Sequence, residues 1–209
     1  QTDGIAWYDL GAPLPLGDKS TLSWDEGKAL VDASFSKAYP LLGDFLRKTY
    51  DHRWIDWSPR PGKRPGAFCT GSLLTRESRI YMTYNDTLGD VRTLAHEIGH
   101  AFHSYIMRDV RTLARSYPMT LAESASTFSE MLLTEGALAD PTITPVQKAR
   151  LLDMEVGHGA IFLLDIVAML AGDGCWSSFW RIGIAQGETF RTSFFQRGSI
   201  FIILHSQFR

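Results

Sequence analysis

One helical stretch constrains this chain more than any other part of it. From Asp90 onward Val91, Leu94, Ala95, Ile98, Ala101, Phe102, Tyr105 and Ile106 recur at intervals of three and four, the period of a helix packed against a core. Set into that period are His96, Glu97 and His100. On a helix, His96 and His100 stand one turn apart on one face, so both imidazoles can reach a single cation. Glu97 points about 100° round the axis, where its carboxylate can meet a water on the metal instead of the metal itself. Gly99 adds no side chain near such a metal, at a cost of about 0.5–1 kcal/mol relative to Ala in a helix. The plain alternative is a pair of histidines facing solvent. The apolar residues on both flanks argue against it, because they make a packed helix able to hold a site rigidly.

A catalytic zinc takes three protein ligands and keeps one position open, so a third ligand must come from elsewhere. The segment from Leu121 to Glu130 offers Glu123 and Glu130, seven residues apart on one helix face. Glu123 stands among Ala122, Ser124, Ala125 and Ser126, whose small side chains permit close approach of the first helix. His96, His100 and Glu123 are therefore the expected ligands of one Zn2+ per chain, with Glu97 as the catalytic base. Glu130 is then either an acceptor for a ligand histidine N–H or an ordinary surface carboxylate. His103, one turn past His100, either supports the site or contacts substrate, or is a hydrogen-bonded helix histidine.

Elsewhere the sequence predicts mainly α structure with a small β element. Residues 1–20, with Gly11, Pro13, Pro15 and Gly17, read as an extended lead-in. Ser23 and Glu26 form a capping-box signature ahead of apolar residues at helical spacing, with a break at Pro40. Residues 60–66 form a turn-rich loop, and 67–74 and 79–84 read as short strands. A second helix is predicted over about 120–135, ending at Gly136, and a third from Pro145 to about Leu170.

A length of 209 residues with 44% hydrophobic content suits one domain with a sizeable core. A net charge of −2 gives no basic field, so nucleic acid is not an expected partner. The most apolar run, 160–171, is too short to span a bilayer and carries Asp165, so no membrane association is expected. Cys69 and Cys175 show neither metal spacing nor a disulfide framework and read as core residues of a reducing compartment. No charged-then-apolar leader opens the chain, and Trp7-Tyr8-Asp9-Leu10 reads like the interior of a longer parent.

Several segments together carry a family resemblance: Trp7-Tyr8-Asp9-Leu10 with Ala12-Pro13; 62–67; Tyr84-Asn85; 93–103 around His96 and His100; and 122–127 around Glu123. Over residues 1 to about 165 the chain resembles the oligoendopeptidase F group of the M3 (thimet-oligopeptidase-like) zinc metallopeptidases. The resemblance implies a helical zincin catalytic domain with its small β element at the active site. It implies zinc on His96, His100 and Glu123, zinc-bound water activated by Glu97, short peptides as substrates, and a cytoplasmic location. It also implies that the strand 80–85 lies along a substrate channel and pairs with the peptide backbone. There Tyr84 and Tyr81 either contact substrate or pack in the strand core.

Beyond residue 165 the resemblance stops. Residues 166–209 contain no Lys and no Tyr, hold eight Phe or Trp, and break the helical period at 172–180 and 200–204. The expectation is a domain over 1–165 and an atypical, non-native tail over 166–209 produced by a change of coding frame near Ile166, against the alternative of a divergent genuine C-terminus. The family's downstream Tyr-rich stretch, which holds substrate and oxyanion, has no counterpart here. A second functional reading therefore stands beside the peptidase: a zinc-binding but catalytically deficient segment of such an enzyme.

Overall fold

The computed structural model describes residues 21–160, so the expectations for the lead-in 1–20, for Cys175 and for the tail 166–209 lie outside the described residues. The chain divides into two units at Leu152 and Asp153. Within the first, the order is α1 (Trp24–Ala38), α2 (Pro40–Asp51), β1 (Ile55–Asp56), β2 (Ala67–Ser72), β3 (Glu77–Met82), α3 (Leu88–Ile106) and α4 (Met119–Ala139). Short 3-10 turns at Met107–Asp109 and Thr112–Arg115 separate α3 from α4. The helix α5 (Pro145–Ala160) starts in this unit and runs on into the second. The architecture is mostly helical with one small sheet, as the sequence predicts.

The helix starts are chemically defined. Ser23 caps α1 through a reciprocal pair with Glu26, and Pro40 at the first turn of α2 ends the run of α1 at Ala38. Val31, Phe35, Leu42, Phe45, Leu46, Leu94, Ile98, Phe102 and Leu133 are almost fully buried and form the core among α1, α2, α3 and α4. Gly136 does not end α4 as its position suggests. It lies inside the helix, where a Cβ would come within 2.2 Å of Ser34 Oγ on α1. The glycine is there to let α1 and α4 touch.

The sheet has the order β1-β3-β2, with β1 parallel and β2 antiparallel to β3. Ile55 pairs with Ile80 and Asp56 with Tyr81 on one side, while Cys69 pairs with Ile80 on the other. The strand foreseen beside a substrate, 80–85, overlaps β3, which is central and is paired on both sides at Ile80 and Tyr81. Among the described residues the outer strands of the sheet are β1 and β2. Cys69, on β2, is only half-buried instead of lying in the core.

Candidate active site

The site is built on α3 and on what that helix lies between. Thr87 caps the helix: its hydroxyl accepts from Asp90 N at 3.1 Å, while Asp90 Oδ2 accepts from Thr87 N at 3.1 Å and from Asn85 N at 3.0 Å. From that start the helix runs between the sheet and α4. Its α4 side carries Arg92, His96 and Gly99, in steps of four and three. At Gly99 an added Cβ would stand 2.7 Å from Ala125 O and 2.8 Å from Ser126 Cα. Gly99 thus admits α4, a use that its place in the sequence did not show.

That close approach brings Glu123 to the two histidines. His96 Nε2 and His100 Nε2 are 3.1 Å apart, and Glu123 Oε2 lies 3.4 Å from the first and 3.6 Å from the second. Ligand atoms held tetrahedrally at about 2.0–2.1 Å from a zinc are roughly 3.3–3.4 Å from one another, so the three spacings suit such an ion. The chemistry of the donors agrees. Glu130 accepts from His96 Nδ1 at 2.5 Å, which leaves His96 Nε2 to face its neighbours, and His100 is fixed by a hydrogen bond to the backbone of Ala122. Two imidazole nitrogens and a carboxylate oxygen this close together could hold a metal ion. Ser126, fully buried, holds Glu123 in position with its hydroxyl 2.8 Å from Oε2 and 2.9 Å from the Glu123 carbonyl oxygen.

Glu97 sits beside this group but faces the sheet side. It is 5% exposed, and its Oε2 has no hydrogen-bond partner among the described residues. Burial pushes its carboxyl up to about 7, with the charge of Glu123 adding to the rise and that of His96 opposing it. Cys69 of β2 feels the same carboxylate: burial and the Glu97 charge push its thiol up to about 12, against a hydrogen bond with Ser78. The outer strand β2 packs on α3, the helix that carries Glu97.

Behind the histidines lies a second layer. Glu130, on α4, is 5% exposed and is no surface carboxylate. Burial favours its neutral form, yet the hydrogen bonds from His96 and Arg92 outweigh burial and hold it ionised. Burial likewise opposes a charge on His96, but Glu130, Glu97 and Glu123 reverse that and raise it, whereas burial and the His96 charge lower His100. His103 is buried against the ring of Tyr117 at a centroid distance of 4.6 Å. Neither of its nitrogens has a hydrogen-bond partner among the described residues, so the expected helix hydrogen bond is not found. Tyr84 is in the core: it is 2% exposed, packs against Trp24 and Trp57, and donates to Leu22 O at 2.8 Å. Sequence reasoning missed Arg92 and the hydroxyl of Ser126. Only the spacing of Arg92 and His96, one turn apart, pointed to the former.

Comparison with known proteins gives a consistent picture. Residues 32–153 match peptidase family M3. The chain is 40% identical to the chromosomal oligoendopeptidase F of Lactococcus lactis subsp. cremoris over 137 residues, covering 64% of this chain and 22% of that protein. It is 34% identical to the group B oligopeptidase PepB of Streptococcus agalactiae serotype III over 139 residues, covering 66% and 23%. The chain thus spans less than a quarter of the length of these two relatives. A crystal structure assigned as a peptidase from Chlamydophila abortus superposes with a TM-score of 0.67 at 29% identity, over 81% of this chain and 28% of that one.

Proposed function

The chain belongs to peptidase family M3, and from that premise we propose that it carries the zinc site and the general base of an oligopeptidase acting on short peptides. One observation supports this most: His96, His100 and Glu123 bring three ligand atoms within 4.8 Å of one another, next to the buried carboxylate of Glu97. His96, His100 and Glu123 would hold the ion. A zinc bound there supplies Lewis-acid polarisation to water and to a peptide carbonyl.

The remaining work falls to the chain's own side chains. Glu97 takes the proton of the attacking water and returns it to the leaving amine; a carboxyl near neutrality is matched to both transfers. Glu130 keeps the His96 proton on Nδ1 and so keeps Nε2 available as a ligand. An extended substrate would add to the outer edge of β2, the outer strand that packs on the helix of Glu97, through main-chain hydrogen bonds that ignore side-chain identity. The names of the relatives, oligopeptidase and oligoendopeptidase, agree with short peptides as substrates.

The test is cleavage of an internally quenched short peptide by the whole chain, with and without a chelator, beside Glu97→Gln. Chelator-sensitive cleavage that drops by about 10²–10⁴-fold in the variant supports the reading. Zinc retained without any cleavage supports the second reading, a zinc-binding but catalytically deficient segment.

A further inference from the structure

Glu130 is gripped at both oxygens from a single helix. His96 Nδ1 donates to Oε1 at 2.5 Å, and Arg92 Nε, one turn earlier on α3, donates to Oε2 at 2.5 Å. Arg92 is 7% exposed, so the guanidinium and the carboxylate form a buried ion pair behind the histidines.

We propose that Arg92 is a positioning residue for the metal site, acting through Glu130 on His96. The proposal rests on the reading of His96, His100 and Glu123 as zinc ligands. A glutamate carboxyl turns easily about its last torsion, whose profile is broad. Held only by His96, it could swing and let the imidazole rotate with it. A second anchor on Oε2 removes that freedom, and the Nε–H of a planar guanidinium does so in a fixed direction. Arg92 also places a positive charge against the buried carboxylate of Glu130. The consequence is a His96 ring locked with Nε2 toward His100 and Glu123 before any ion arrives.

A purely structural ion pair tying α3 to α4 is the competing account, and zinc affinity separates the two. Affinity would be measured for the full 209-residue chain by competition with a chromophoric chelator, with far-UV circular dichroism as the check on folding. Arg92→Met is expected to weaken zinc binding about tenfold, the lower end of what losing a partner behind a ligand histidine costs. Arg92→Lys keeps a donor and a charge and should recover most of that loss; if Arg92→Met does not fold, Arg92→Gln, which lacks the charge, carries the test with the same expected loss. In a Glu130→Gln background the Arg92 substitution should change affinity less than about twofold, because the relay is already cut. Unchanged affinity in Arg92→Met, or an equal loss in both backgrounds, overturns the proposal while leaving the zinc site standing. An unaltered chain that takes up no zinc overturns the site itself and the proposal with it.

Discussion

Gly99 of α3 lies so close to Ser126 of α4 that a side chain of even one carbon would stand 2.8 Å from the Ser126 Cα. His96 and His100 are on one of these helices and Glu123 on the other, so this approach determines whether the three can share an ion. Gly99→Ala should force the helices apart and destabilise the chain by about 1–3 kcal/mol, offset by up to about 1 kcal/mol of helix propensity. It should also weaken zinc binding, because Glu123 retreats from both histidines. Urea unfolding and a zinc titration of the variant measure the two effects. A variant as stable and as zinc-avid as the parent would show that the approach does not set the site.

The buried carboxyl of Glu97 makes the stability of the metal-free chain depend on pH in a defined direction. Its folded value, about 7, lies above the ordinary 4.5, so between these values the folded chain holds a proton that the unfolded chain has lost. Stability attributable to Glu97 is therefore greatest below pH 4.5 and falls as pH rises toward 7, by on the order of 2–3 kcal/mol. Glu97→Gln removes this term. In the presence of a chelator the variant should gain stability over the parent at pH 8 relative to pH 5, read from denaturant midpoints at both values. A difference between the two proteins that does not vary with pH would contradict the assignment.

Thr87 offers a contrast, since it supports α3 from its start without touching a ligand. Thr87→Ala should cost about 1 kcal/mol through loss of the cap. Zinc affinity should stay close to that of the parent once the chain is folded. A large loss of affinity at unchanged stability would mean that the capping turn takes part in the site.

What the sequence made legible was local. The period of 91–106 located α3 and placed His96 and His100 on one face, and the small residues around Glu123 marked where a second helix could come close. Ser23 with Glu26 and Pro40 set the bounds of α1 and α2 because caps and prolines act within one turn. Contacts between elements were not legible. The strand β1 is two residues long and too short to show any period, yet its pairing with Ile80 and Tyr81 makes β3 central and leaves β1 and β2 as the outer strands. Gly136 looks in sequence like a glycine that ends a helix, and nothing in the sequence shows that Gly136 and Gly99 each admit a neighbouring helix. Arg92 becomes more than another surface charge only when Glu130, 38 residues later, folds against it.

The central claim is that His96, His100 and Glu123 together hold one zinc. Its most direct test is the zinc content per chain after exhaustive dialysis, for the parent and for His96→Ala, His100→Ala and Glu123→Ala in parallel. The account predicts one zinc in the parent and almost none in each folded variant. A parent that retains none, or a variant that still retains a full equivalent, would contradict it.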